Sequence, residues 1–300
     1  MPDSRRHSED TVIPDNESVF TSLSDDTLAD LSSQVFGLPL PSFSTIREFS
    51  IASSFLHPGV LVFRSIDDAR KGSSPMLCTQ SSVFSVFKKN APFMVICAYD
   101  DAGHLYEYCR VHFKNVANNL SCYILMFPHT SVVVLNNGLR PAADVSYCDT
   151  KLRVVGSSGD NSTFASGELK MYVLQPNALS LTDGASLVQP TPGSIKGAKV
   201  GFSASANGLC QALSELKKHL HAKLLSECRT LANIPLVTYT DTGDKKIAGL
   251  KHSLNGTVRM FHPPGDDLEH SMVMLCVMLV LREQEMRKSK GGKRPTYVEH

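Results

Sequence analysis

Apolar residues are distributed along this chain in two regimes. From about residue 43 to residue 260 they come in short runs separated by turn residues. Near the C terminus they fuse into one unbroken run, 272–281. The short runs read as strands. Residues 60–63 (Val-Leu-Val-Phe) follow Pro58-Gly59. Residues 82–87 alternate, with Val83, Ser85 and Phe87 on one face and Phe84 and Val86 on the other. Residues 92–99 end at the turn signal Asp100-Asp101-Ala102-Gly103. Runs over 105–113, 121–127, 131–135, 151–155, 169–174, 236–240 and 247–260 continue the series. Asn136-Asn137-Gly138 and Ser157-Ser158-Gly159-Asp160 punctuate it as turns. Short strands at this spacing predict a sandwich or a barrel.

The terminal run decides between them. A helix over 272–281 has no polar stripe, so it belongs inside something. It is too short for a bilayer span, which takes roughly 17–25 residues. The turn His262-Pro263-Pro264-Gly265 leads into it. Asp266, Asp267 and Glu269 suit the positive end of its dipole, and Arg282, Arg287 and Lys288 the negative end. A wholly apolar last helix after many strands predicts a mainly β fold with helices, a β-barrel plugged by its own C-terminal helix.

The remaining segments are appendages. Residues 1–36 are polar, acidic and Ser-rich, and are expected to be a disordered tail with a weak helix over 24–36. Phe20, Leu23, Leu28, Leu31 and Phe36 could give that tail an apolar stripe for a protein partner; a solvated tail is the plainer reading. The barrel domain is expected over 37–286. Within it, 183–208 reads as a Gly/Pro/Ser-rich loop. Leu209, Leu213, Leu216, Leu220 and Leu224, widened by Cys210 and Leu225, predict an amphipathic helix over 209–231, within a helical insertion near 205–232. Residues 287–300 form a basic, flexible tail.

Charge is unevenly placed. The formal net charge of the 300 residues is +1, yet the first 36 hold eight carboxylates against Arg5 and Arg6. This leaves 28 basic and 21 acidic side chains, a net of +7, in the rest. A basic body suits an anionic partner such as phospholipid or nucleic acid. The eight cysteines include no CxxC pair, and Cys97, Cys122 and Cys276 sit in apolar runs. Buried free thiols in a reducing compartment are expected, with no disulfides. The N terminus has no apolar signal-peptide core, so a cytoplasmic location is expected.

Enzyme signatures are missing: the chain contains no GxSxG, HExxH, GxGxxG or GxxxxGKS. His219 and His221 would point about 200° apart on a helix, poor geometry for one metal. No catalytic residue, metal or cofactor is assigned, and the chain is not expected to be an enzyme. Two basic clusters stand out: Arg64 with Arg70-Lys71-Gly72, and Lys88-Lys89. If their strands pair as a hairpin, they could meet at one end of a barrel and hold phosphate. Solvated strand ends are the plainer reading of both.

At these residues the chain resembles the tubby-like superfamily. The segment 59–72 (GVLVFRSIDDARKG) has the length and shape of that family's early strand and basic loop. Residues 84–89 followed by 93–97 look like its next strand, basic run and strand. Residues 130–141 (TSVVVLNNGLRP) resemble its T-K-F-T-V-Y-D-N-G-x-N-P segment, with Asn137-Gly138 and Pro141 correctly spaced. Ser166-Gly167-Glu168-Leu169, Leu231-Ala232-Asn233-Ile234-Pro235, the Gly256-Thr257-Val258-Arg259 stretch and the last apolar helix extend the likeness over roughly 43–286. The phospholipid scramblase-like and LURP-one branches share the architecture and are not separated from it here.

The resemblance implies a closed antiparallel β-barrel, of about twelve strands, around a central hydrophobic C-terminal helix; such a domain binds phosphoinositide head groups, especially phosphatidylinositol bisphosphate, and works as a membrane-tethered adaptor. On this sequence the site falls to Arg64, Arg70, Lys71, Lys88 and Lys89. Arg287, Lys288, Lys290, Lys293 and Arg294 would add nonspecific attraction. The sequence departs from the family at three points: Phe63 and Ser65 stand where a lipid-contacting Lys and Arg are usual, and Asp68 replaces a loop Arg. Strand alternation would turn Arg64 away from the face of Phe63 and Ser65. The expected function is therefore phosphoinositide binding as a non-enzymatic membrane adaptor in trafficking or regulation. The alternative is a protein-interaction scaffold that has lost its lipid site and works through the tail or the 209–231 helix. No specific nucleic acid is expected. A cytoplasmic location is expected, with peripheral membrane association open to it; a cilium would follow from family analogy alone.

Overall fold

The computed structural model describes residues 34–54, 57–80, 91–100, 102–117, 120–137, 142–157, 167–188, 199–202, 229–246, 252–265 and 268–291. The expected strand 82–87, residues 209–228 of the expected helix, His219 and His221 lie outside them; the last three residues of that helix are not helical, since Thr230 forms a β-bridge with Leu174 and the Leu231 N–H donates to Val173 O at 2.8 Å.

Twelve strands close into one ring. They are β3 (Thr45–Ser54), β4 (His57–Phe63), β5 (Leu77–Gln80), β6 (Met94–Tyr99), β7 (Leu105–Ala117), β8 (Leu120–Met126), β9 (Ser131–Asn137), β10 (Ala142–Tyr147), β11 (Thr150–Ser157), β12 (Glu168–Val173), β15 (Val237–Lys246) and β16 (His252–His262). Each strand pairs antiparallel with the next, and β16 returns to pair with β3. The result is an up-and-down meander, which removes every free edge. A short helix, α1 (Ile66–Lys71), joins β4 to β5. The closing helix α2 (Glu269–Gly291) ends the described chain.

Period-two alternation divides each strand between two faces. The inward residues include Ile51, Val62, Leu77, Ile96, Val111, Leu125, Val134, Val145, Leu152, Met171, Val237 and Val258, one from each of the twelve strands. All belong to a single buried cluster with residues 273–281 of α2. The apolar run that has no polar stripe is thus surrounded by wall on all sides, as its pattern requires. The helix is longer than the run. It continues past Arg282 to Gly291, so Arg282 lies mid-helix and not at the negative end.

Register orients the barrel. Tyr147, at the end of β10, meets His270 in the first turn of α2: Tyr147 Oη and His270 Nδ1 are hydrogen-bonded at 3.0 Å. At the opposite end Arg287 reaches Phe93, just before β6. The helix therefore enters where β4 ends and β5 begins, and leaves near the start of β6.

The first described residues cover the entry end. Gln34–Phe36, expected to finish a weak helix, instead form a small hairpin. β1 (Gln34–Val35) pairs with β2 (Leu38–Pro39) across Phe36-Gly37, both with positive φ (54° and 80°), the primed-turn geometry. The Phe36 ring is buried against Tyr147 at 5.1 Å and stacks on His270 at 5.1 Å, and its N–H donates to Thr150 Oγ1 at 2.8 Å. A non-glycine residue in that backbone region is held there by its neighbours. A second correction concerns 183–208, read as loop: β13 (Ala185–Val188) pairs with β14 (Lys199–Phe202) within it. Asn136 and Asn137, read as turn residues, are buried at the end of β9.

Candidate functional site

The connection from β4 to β5 holds three of the five residues assigned from sequence. It is not the open loop expected. Ser65 caps α1: its Oγ accepts from the Asp68 N–H at 3.1 Å and donates to Asp68 Oδ2 at 2.9 Å. This is a serine N-cap, with the Asp68 carboxylate orienting the capping hydroxyl. At the other end Gly72 takes φ 69°, its N–H donates to Ala69 O at 3.3 Å, and the Ser73 N–H donates to Asp68 O at 3.0 Å. That pair of bonds is a Schellman stop, which favours glycine at the left-handed position. Beneath the helix Phe63 is buried with Ala52, Leu61, Cys78, Cys97 and Ala69 on the outer face of the wall. Phe63, Ser65 and Asp68 thus share one outcome. Phe63 seats α1, while Ser65 and Asp68 start it.

Arg64 and Lys71 are exposed. Arg70 donates from Nη1 to Asp67 Oδ1 at 3.0 Å, and the two side chains are 60% and 66% exposed. Three cations stand against Asp67 and Asp68, so the segment is only weakly positive. Lys88 and Lys89 lie outside the described residues. Phe63 and Leu77, which bracket the first cluster, are at the entry end; Gln80 and Met94, the described strand ends on either side of the second, are at the exit end.

Arg287, assigned to a loose basic tail, is instead part of the packing. Its guanidinium sits 4.0 Å over the Phe93 ring, its Nε donates to Glu283 Oε1 at 2.8 Å, and Nη2 donates to the Phe93 carbonyl at 3.3 Å. Residues 293 and 294 lie outside the described residues.

Arg282 is buried with the helix. Its Nε donates to Tyr239 Oη at 2.9 Å, and that hydroxyl donates to the Asn255 carbonyl at 3.5 Å. Gly256 makes room for the tyrosine: a Cβ there would lie 2.6 Å from the Tyr239 ring and from Thr240 O. Burial raises the Tyr147 hydroxyl well above its ordinary pKa.

Sequence reasoning missed a buried ion pair on the outer wall. Asp144 of β10 accepts from Arg153 of β11, at 2.7 Å from Nε and 2.8 Å from Nη2. Asp144 also accepts from Ser180 Oγ at 3.1 Å and the Leu181 N–H at 2.8 Å, while Arg153 Nη2 donates to Leu179 O at 2.9 Å. The pair pins residues 179–181 across the wall. Its signal was a charge at alternate positions of two apolar strands, Asp144 in AADVSY and Arg153 in TKLRVVGS.

A further basic row runs along the outer face of β7: Arg110, His112 and Lys114. Arg110 donates to Glu107 at 2.7 Å. Desolvation lowers the His112 pKa, Arg110 and Lys114 lower it further, and Glu107 opposes them.

At the exit end a cavity of about 20 Å³ is lined by Asn136, Ala142, Gly156, Leu281, Gln284 and Glu285 among others. That is room for about one water molecule. Among the described residues no group of three His, Cys, Asp or Glu is placed to hold a metal, and no helix is long and apolar enough to cross a membrane. No protein-family model, curated protein or solved structure matches this chain.

Proposed function

We propose that the chain is a distant member of the tubby-like superfamily, and that it binds phosphoinositide head groups on its outer surface as a non-enzymatic peripheral adaptor. The observation that carries the reading is the closed twelve-strand barrel whose own C-terminal helix occupies its core. With no interior space for a head group in the described parts, a ligand must dock outside. Arg64, Arg70 and Lys71 project from one exposed connection at the entry end. Each cation near an anionic surface contributes about 1 kcal/mol. Asp67 and Asp68 offset part of that; Lys88 and Lys89, assigned to the same site from sequence, lie outside the described residues, between strand ends at the opposite end of the barrel. The test is sedimentation of the full chain with liposomes, with and without phosphatidylinositol bisphosphate, at low and physiological salt. Selective binding that persists at physiological salt and is lost on reversing Arg64, Arg70 and Lys71 to Glu supports the site. Salt-sensitive binding without lipid preference removes it.

A second reading, a protein-interaction scaffold with no lipid site, is favoured by Phe63, Ser65 and Asp68. These residues build α1 where a lipid site would need cations. Partner capture that depends on residues 209–231 and ignores lipid would select this reading.

A further inference from the structure

Four of the six described cysteines face one another in two pairs. Cys109 of β7 meets Cys276 of α2 inside the barrel, thiol to thiol. Cys78 of β5 lies directly opposite Cys97 of β6 on the outer wall, beneath α1, and their thiols are also in contact. Opposed residues in an antiparallel pair have Cα atoms about 4.5–5.5 Å apart. A disulfide accepts Cα separations of about 4.4–6.8 Å. The outer pair therefore meets the backbone requirement of a disulfide as it stands. Access separates the two pairs: Cys109, Cys276 and Cys78 are fully buried, whereas Cys97 is 5% exposed.

We propose that Cys78 and Cys97 form a redox modification site, which a peroxide converts to a cross-strand disulfide joining β5 to β6. The Cys97 thiolate attacks one peroxide oxygen. The O–O bond breaks, giving a sulfenic acid at Cys97 and a hydroxide that takes up a proton as water. Cys78 Sγ then attacks the Cys97 sulfur. The S–O bond breaks, and the departing hydroxide leaves as water with the Cys78 proton. Two thiols are oxidised and one peroxide is reduced to two waters.

Both steps have local determinants. Burial, then Cys78 and Glu107, push the Cys97 thiol up to about 11. The thiolate is scarce at neutral pH, so the bond forms slowly, at a rate that rises roughly tenfold per pH unit below that value. The strand it secures needs securing. β5 has four residues, and its seam with β4 has two paired positions, Leu61 with Cys78 and Val62 with Leu77. No other seam of the barrel is so short among the described residues.

The test uses the full chain, reduced, carrying Cys148→Ser to remove the thiol that is exposed among the described residues. It is treated with hydrogen peroxide at neutral and mildly alkaline pH, alkylated, digested and mapped by mass spectrometry. The expected product is a Cys78–Cys97 linked peptide pair that forms faster at alkaline pH and is reversed by dithiothreitol. Amide exchange in β5 should then slow. Three results would overturn the proposal: both thiols alkylated and unlinked at alkaline pH, Cys97 carried to sulfinic acid without a link, or the Cys109–Cys276 pair linked first. Because the mapping is done on native thiols at both positions, a misfolded Cys78→Ser variant cannot obscure the answer.

Discussion

Two walls of the same barrel treat their charged residues in opposite ways. On the β9–β12 side, Asp144 and Arg153 are buried on the outer face and satisfied by each other, by Ser180 Oγ and by the backbone of Leu179 and Leu181. On the β4–β7 side, Arg64, Arg70, Lys71, Arg110 and Lys114 remain at the surface. Where they are paired, as Arg70 with Asp67 and Arg110 with Glu107, the partner is exposed too. A buried pair fixes geometry because breaking it strands a charge out of water. Exposed pairs hold little, and their charges stay available to a partner. The first wall thus locks the 179–181 segment down, and the second is the side on which an anion can be met. The second wall is also the looser one, with the shortest seam and a six-residue helix over it.

The contrast predicts a graded series. Asp144→Ala should cost about 3–5 kcal/mol in urea unfolding, because Arg153 is left buried and uncompensated. Adding Arg153→Met should restore much of that loss. A cost below about 1 kcal/mol for the single change would break the comparison. Ser65→Ala should cost about 1 kcal/mol through the lost cap, and should raise amide exchange in α1 while leaving β10 and β11 unchanged. Equal exchange changes on both walls would show that the two are not independent.

His112 gives the second wall a pH dependence. Its folded pKa lies below the ordinary value of about 6.5, so the unfolded chain takes up the proton first as pH falls. Its contribution is therefore present above about pH 6.5 and is lost on acidification towards the folded pKa. In His112→Gln the fall in stability from neutral pH to about pH 5.5 should be smaller than in the parent; an identical fall would assign it to other groups. The smallest stability effect is expected at Asp67→Asn, within about 0.5 kcal/mol. The same change should strengthen sedimentation with anionic liposomes, because it removes a carboxylate beside Arg70. Unchanged sedimentation would argue that this connection does not face the membrane.

Much of the fold was legible because its signals are local. The run at 272–281 states its own burial, and alternation with turn residues marked most strands. What escaped were elements too short or too polar to display a period. β10 carries Asp144 and Ser146 within six residues and reads as neither strand nor core until Arg153 is set beside it. β5 is too short to show a period. α1 was read as loop because six residues cannot display a helical stripe, although the Ser65-x-x-Asp68 cap and Gly72 were there to be seen. The candidate site was legible as a set of cations but not as an arrangement. Asp67 and Asp68 change what Arg70 and Lys71 amount to, and only the folded connection brings them together.

The sequence by itself determined the periods: two along the strands, and an apolar surface all round the last helix. Those periods follow from covalent geometry, which fixes where successive side chains point. They were enough to require a wall and something enclosed by it. Tertiary structure alone decided which residues became partners across the chain: Asp144 with Arg153, Arg282 with Tyr239, Phe36 with His270, Cys78 with Cys97. Such pairings depend on which strands become neighbours and in what register. Ring closure settles that, through the return of β16 to β3, and no local pattern contains it.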